Sequence, residues 1–302
     1  MSGVPQGSVL APVLFLLFIN DLHNSTNITV RMFADDCIIY KEITCHADQA
    51  ILNSALESIA QWCETWQMTI NVEKTVCMTV TNKRAAINLP YYLQGQMLRK
   101  VEEYKYLGVI ISSDLKWNKQ VAYITNKALA ALYSIKRSLK SASVDTKLLA
   151  YTSLVRSIMD YGIICWLPFR KQYIERLEGV QRKAVRFIFN KYRRHDSPTQ
   201  LLRQADLPTI HNRARLLRLK FLFLLLNGGM KIDTSKYLIK SNTRTTRTKH
   251  QQHLTEYRFH NDIFRYSFFP QAIREWNSLP CDAVNCASLK DFIANISRFI
   301  LQ

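Results

Sequence analysis

The chain has 302 residues, 48% of them hydrophobic, and 41 Lys and Arg against 23 Asp and Glu give a formal net charge of +18. That composition excludes wholesale disorder, and the length gives room for one large or two ordinary domains with a true core. The charge is uneven: residues 1–60 hold two basic and six acidic side chains, a net of −4, so the remainder carries +22. An acidic head on a basic body fits either a protein that follows a phosphate backbone or an ordinary basic surface.

Residues 1–23 open on a glycine–proline loop and enter an apolar helix through Asn20-Asp21-Leu22. Ser8 is placed to cap that helix, and Pro12 is tolerated only in a first turn. The glycines at Gly3 and Gly7 let backbone come close to a ligand, and Gln6 offers an amide donor and acceptor beside them, although a plain surface loop reads the same way.

Ile28–Tyr40 (ITVRMFADDCIIY) follows. Apolar and β-branched residues on both sides of Asp35-Asp36 predict two short strands joined by a tight turn. Two adjacent carboxylates repel each other and are costly to desolvate unless a cation sits on them, and hard oxygen ligands suit Mg²⁺ or Mn²⁺. An exposed Asp-Asp turn with no ligand is the alternative.

Asp48–Trp66 has helical spacing, with Ile51, Leu52, Ala55, Leu56, Ile59, Trp62, Cys63 and Trp66 in one stripe. Met68–Val80 alternates as a strand-turn-strand, with Lys74 between, and Lys83–Pro90 reads as a loop. Tyr91–Ser113 is a second β region centred on Tyr106-Leu107-Gly108-Val109-Ile110-Ile111. Trp117 after it either stacks on a base or covers the core.

From Lys119 the pattern is helical: Val121, Ile124, Ala128, Leu132 and Ile135 form one stripe, and Leu148, Leu149, Thr152, Leu154, Val155, Ile158 and Met159 another. Residues 173–194 put Ile174, Leu177, Val180, Ala184 and Phe187 on one face, surrounded by Arg176, Arg182, Lys183, Arg186, Lys191, Arg193 and Arg194. Only Glu175 and Glu178 offset that charge, which favours contact with phosphates over a plain solvated face. Ser197 caps a short helix ending near Gln204, and Ile210–Leu226 is an apolar helix stopped by Asn227-Gly228-Gly229. Lys236–His253 is polar, basic and without periodicity, a loop or linker that orders on RNA if it orders at all.

Cys37, Cys45, Cys63, Cys77, Cys165, Cys281 and Cys286 form no C-x-x-C pair and mostly lie in apolar stretches, as reduced core cysteines do; this points to an intracellular home, cytoplasmic, nuclear or both. No histidine follows Cys281 and Cys286 to build a zinc site, and His250, His253 and His260 sit in the basic stretch without metal-site spacing. Val13–Ile19 lacks the flanks of a signal peptide, and both it and Phe221–Leu226 are too short to span a bilayer.

Taken in order, Gly3-Val4-Pro5-Gln6-Gly7-Ser8-Val9-Leu10-Ala11-Pro12, then Phe33-Ala34-Asp35-Asp36, then Trp66–Thr75 and Tyr104–Val109 resemble the palm of a reverse transcriptase from a non-LTR retrotransposon, closest to the jockey-like group. The resemblance implies an α+β fold: a partial palm with a primer-grip hairpin over 1–118, a helical, basic thumb-like region over 119–230, and a basic linker and carboxy-terminal segment over 231–302. It implies RNA-directed DNA synthesis by two-metal nucleotidyl transfer, with an RNA template, a DNA primer and deoxynucleoside triphosphates as partners and no membrane. Asp35 and Asp36 become metal ligands. Gly3, Pro5, Gln6, Gly7, Ser8, Phe33 and Ala34 become contacts to template or nucleotide, Lys74 borders the triphosphate as a general acid, and Tyr106, Leu107 and Gly108 form the primer grip. In the family, fingers and a palm strand bearing a third metal-binding aspartate precede the glycine loop, and neither Asp21 nor Asp48 sits in that motif. The expectation is therefore a chain that is catalytically incomplete alone, with a non-catalytic RNA- or DNA-binding remnant, or a domesticated transposon protein, as the alternative.

Overall fold

The computed structural model describes residues 7–83, 89–241 and 250–301. Helices dominate, and the strands are short and joined in two-stranded pairs, so the fold is α+β as expected. The chain divides into two compact units, Met1–Tyr104 and Lys105–Gln302. The first carries 7 basic and 10 acidic side chains (−3) and the second 34 and 13 (+21), so the charge asymmetry is a property of the units.

In the first unit, α1 (Ala11–Ile19) starts with Pro12 in its first turn, where a missing N–H leaves no helical bond unmade. The N-cap of α1 is Leu10, without a side-chain capping bond, and Ser8, two residues before it, accepts from the Ala11 N–H at 3.1 Å. The helix buries only Ile19, and Val13, Leu14, Leu16, Leu17 and Phe18 are exposed, Phe18 with its ring against Trp62 and Trp66 at 6.2 and 5.8 Å. Strands β1 (Thr29–Phe33) and β2 (Asp36–Tyr40) pair antiparallel from Thr29↔Tyr40 to Phe33↔Asp36.

Helix α2 (His46–Thr65) is started by a capping box in which Asp48 reaches back to the chain before it. It buries Ala55, Leu56, Ile59 and Cys63 against Leu22 and Met32 on one side and Leu93 and Leu98 on the other. Ile51 and Trp66 of the expected stripe are instead 45% and 47% exposed. The expected strand at Met68–Ile70 is not formed. Asn71 Oδ1 accepts from the Lys74 N–H at 2.9 Å and its carbonyl from the Thr75 N–H at 3.1 Å, which curls the chain into a turn before it can pair. Only β3 (Val76–Cys77) follows, parallel to β6 (Arg99–Lys100). Between them β4 (Tyr92–Leu93) and β5 (Gln96–Met97) form a short hairpin.

The second unit begins in the hairpin of β7 (Glu103–Tyr106) and β8 (Val109–Ser112). Helix α3 (Asn118–Ser138) buries the anticipated stripe of Val121, Ile124, Ala128, Leu132 and Ile135. After α4 (Val144–Ala150) the chain winds as a π-helix over Tyr151–Arg156 and returns to α-helix in α5 (Ser157–Asp160). This overturns part of the second stripe: Leu149 and Leu154 are 67% and 55% exposed, while Tyr151, Val155, Arg156 and Met159 face inward. A π-turn holds more residues than an α-turn, so the buried face slips by one position and 3.6-residue spacing no longer finds it.

After α6 (Ile163–Trp166), helices α7 (Lys171–Ile188), α8 (Pro198–Gln204) and α9 (Ile210–Leu226) complete the larger core around Trp166, Leu177, Val185 and Ile210. Gly228, at φ 67°, ends α9 with the Gly229 N–H donating to the Leu224 carbonyl. The far end of α9 joins α10 (Asp262–Arg265), α11 (Phe268–Asn277), α12 (Cys281–Val284) and α13 (Leu289–Leu301) in a second core, where Phe223 stacks on Phe292 at 4.4 Å beside the fully buried Trp276. Ser197 stands at the head of α8, although its side chain makes no capping bond.

The cysteines are not core residues as a group. Cys63 alone is buried, Cys77 and Cys286 are half-buried, and the other four are exposed. Apolar neighbours in sequence misled here, because a strand or helix that is buried on one face exposes the residue next door. No helix among the described residues is long and apolar enough to cross a membrane.

Candidate functional site

The acidic pair sits where a β-hairpin turns most tightly. Phe33 faces Asp36 across the ladder, leaving Ala34 and Asp35 as a two-residue loop. Ala34 has φ 51°, a value that is uncommon for a residue with a Cβ, while Asp35 does not; positive φ at the first central position alone is the φ signature of a type II′ turn. The sequence folds this way because β-branched and apolar residues flank the turn and no glycine offers a looser loop.

Asp35 and Asp36 are both exposed, and neither carboxylate has a hydrogen bond or ion pair among the described residues. Asp48 is the contrast. Its oxygens accept from the Thr44 hydroxyl (2.7 Å), the Thr44 N–H (2.8 Å) and the Cys45 N–H (3.2 Å), and pair with Lys41 Nζ at 3.2 Å. Those bonds, the Thr44 hydroxyl first, hold its carboxyl well below the usual range, so Asp48 is a helix-capping anion with no oxygen to spare. Asp21 is exposed at the head of a 3-10 turn over Leu22–Ser25.

A divalent cation needs hard oxygen donors that are not already engaged, and the free pair at Asp35-Asp36 meets that condition. No group of three or more His, Cys, Asp or Glu side chains able to hold a metal occurs among the described residues.

Of the expected template loop, Gly3, Pro5 and Gln6 lie outside the described residues. Gly7 (φ 88°) and Ser8 are exposed ahead of α1, and Phe33 is 61% exposed beside the turn. Lys74 is exposed on the Asn71 turn, its backbone anchored and its ammonium free of any partner among the described residues.

In the second unit, Leu107 and Gly108 have φ 46° and 81°, both positive, as a type I′ hairpin requires, with Tyr106 closing β7. The close approach at Gly108 is made by Tyr161: a Cβ on Gly108 would lie 3.1 Å from the Tyr161 ring. No periodicity marks Tyr161 in the sequence, since its role depends on a contact 54 residues away.

The basic cluster divides in two. Arg182 pairs with the exposed Glu175 at 3.0 Å, and Arg186 donates to the carbonyls of Tyr192 and Asp196, so both already have partners within the chain. Arg176, Lys183, Lys191, Arg193 and Arg194 are exposed without ion-pair partners among the described residues. On α9, Arg213 pairs with Asp160 at 3.1 Å, and Arg218, 1% exposed, forks onto Glu275 at 2.9 and 3.0 Å. Burial pushes the Glu178 carboxyl up, although it accepts from the Ile210 N–H at the head of α9 at 2.7 Å, and pushes the buried Arg156 guanidinium down.

Residues 1–111 match the family model for reverse transcriptase (RNA-dependent DNA polymerase). The chain is similar to the probable RNA-directed DNA polymerase from transposon BS of Drosophila melanogaster, 28% identical over 200 residues, which is 62% of this chain and 22% of that protein. It is similar to the RNA-directed DNA polymerase from mobile element jockey of the same species, at 27% over 199 residues and the same coverage, and to a type-1 retrotransposable element R1 polyprotein of Nasonia vitripennis, at 26% over 147 residues, 46% of this chain and 36% of that protein. The chain thus spans about a fifth of the length of the two Drosophila proteins. The free carboxylates at a two-residue turn fall inside the matched stretch, and over that stretch and beyond it the chain is similar to RNA-directed DNA polymerases of jockey-like non-LTR retrotransposons.

Proposed function

We propose that this chain supplies part of the catalytic centre, and a nucleic-acid-binding body, of an RNA-directed DNA polymerase that extends a DNA primer on an RNA template. The observation that carries the reading is the exposed, unpartnered Asp35-Asp36 pair on a strained two-residue hairpin turn within the stretch that matches reverse transcriptases. Asp35 and Asp36 hold the divalent cations, Mg²⁺ or Mn²⁺, which when bound neutralise charge on the primer hydroxyl and on the departing pyrophosphate. The Gly3–Ser8 loop, with Phe33 and Ala34, borders template and nucleotide. Lys74 presents a free ammonium to phosphate oxygens and can give its proton to the leaving group. The Tyr106–Gly108 hairpin positions the primer end, and the exposed cations on and after α7 follow the phosphate backbone. Residues 1–118 then act as palm, 119–230 as thumb, and 231–302 as linker and carboxy-terminal segment.

Two carboxylates leave a two-metal site short of ligands, which weakens transition-state charge stabilisation by several kcal/mol. Residues 1–302 alone are therefore expected to give no extension of a primed RNA template with either Mg²⁺ or Mn²⁺. Supplying the segment of a jockey-like polymerase that carries the further aspartate should restore synthesis, and Asp35→Asn should abolish it again. Robust synthesis by residues 1–302 would overturn the incompleteness. Retained RNA binding with no restored synthesis would favour the non-catalytic remnant.

A further inference from the structure

The second unit holds a cavity of about 120 Å³ that opens between the loop before α3, the loop before α7 and the α10–α11 junction. Its walls include four aromatic side chains, Trp117, Phe169, Tyr173 and Tyr266, and its rim carries Lys116 and Arg170. Carboxylates are absent from the lining. Trp117 and Tyr173 rest partly on the large core, which fixes them, yet both are only half-buried and keep surface toward the cavity.

Phe169 and Tyr266 already stack on each other, with centroids 4.8 Å apart and planes 7° from parallel. The guanidinium groups of Arg265 and Arg274 lie 5.4 and 5.7 Å from the Tyr266 ring centroid and help to fix it in place. Arg274 is anchored in turn by donating to the Arg265 carbonyl at 2.8 Å. Such a stack is organised before anything binds, so a planar guest loses little by ordering it.

From these walls we infer that the cavity takes one unpaired nucleobase of a single-stranded nucleic acid, RNA above all, stacking it on the aromatic walls while Lys116 and Arg170 meet its phosphates. An apolar side chain of a partner protein would ask for less. Aliphatic walls would serve it, and a cationic rim would not help it, whereas base recognition combines π-faces with basic side chains. Arg170 has no ion-pair partner among the described residues, and Lys116 pairs with the half-buried Asp114 at 3.0 Å. The surrounding unit, at +21, attracts a polyanion. The exposed Lys171, at the first position of α7 directly after Arg170, adds a third cation near the opening. The volume suits a single ring system and is too small for a folded element.

The inference rests on the reading of this chain as a nucleic-acid-binding polymerase part, and the test separates the two. The chain of residues 1–302 is titrated by fluorescence anisotropy with a single-stranded RNA 12-mer and with an abasic 12-mer of the same backbone. Phe169→Leu with Tyr266→Leu should weaken RNA binding roughly 5- to 100-fold and leave the abasic backbone unaffected. An equal loss on both probes, or no loss on RNA, would overturn the base site while the nucleic-acid reading stands. Failure of the wild-type chain to bind either probe at low salt would overturn both. If the double variant does not fold, 4-thiouridine crosslinking to the wild-type chain decides: adducts should fall on residues 115–117, 169–173 or 263–267, and adducts confined to other segments would count against the site.

Discussion

Tyr161 donates its phenolic proton to the carbonyl of Leu107 at 2.9 Å, and with that bond lays its ring against the turn that Leu107 shares with Gly108. Gly108→Ala must place a methyl 3.1 Å from the ring at φ 81°, so it should cost about 1–3 kcal/mol in a urea melt. Tyr161→Ala in the same background removes the ring but not the backbone strain, and should recover only part of that loss. Full recovery would mean that φ at Gly108 is not a constraint.

The Arg218–Glu275 pair should behave as a buried ion pair. Glu275→Gln leaves a guanidinium that is 1% exposed without its counter-charge and should destabilise the second unit by about 3–5 kcal/mol. Arg218→Met with Glu275→Leu should be far milder, because neither charge is then stranded. Thermal melts of the two variants decide, and equal losses would rule out charge burial as the cause.

Asp48 predicts a pH dependence. Its carboxyl titrates lower in the folded chain than in the unfolded one, so its bonds stabilise the fold fully above the unfolded value near about 4, and less as pH falls below it. Asp48→Asn should therefore be less stable than wild type at pH 7, with the gap shrinking as pH drops from about 4 toward 2. A gap that widens with acid would reverse the assignment.

The divided basic cluster predicts different outcomes for its two halves. Arg176→Glu, Lys183→Glu and Arg194→Glu together should lower affinity for single-stranded RNA and flatten its dependence on log salt by about 0.7 for each phosphate no longer neutralised, with the melting temperature nearly unchanged. Arg186→Glu should instead lower the melting temperature, since its guanidinium spans the carbonyls of Tyr192 and Asp196. Unchanged salt dependence in the triple variant would remove that surface from the phosphate path.

Where local pattern decides structure, the sequence was sufficient. The acidic hairpin follows from β-branched flanks around a turn, α9 from helical spacing and a Gly-Gly stop, and α3 from a stripe that is buried residue for residue. The misses lie where tertiary context or a register change decides. Met68–Ile70 alternates like a strand but meets the Asn71 turn, and the π-helix displaces Leu149 and Leu154 to the surface. The aromatic cavity combines Trp117, Phe169 and Tyr266, which lie in separate segments; of these the sequence reading marked only Trp117, as a residue that either stacks on a base or covers the core. Arg182 and Arg186 carried the same charge as their neighbours, and nothing in composition told a partnered arginine from a free one.

The acidic hairpin also sets an order of events during folding. Phe33 and Asp36 meet across two residues, so the turn that aims both carboxylates needs almost no chain closure and forms on the scale of microseconds. The Arg218–Glu275 lock must bring together residues 57 apart in a different part of the chain. Loop closure alone therefore favours the local turn, so the acidic loop should be shaped early, while the helical body is still searching for its long-range partners.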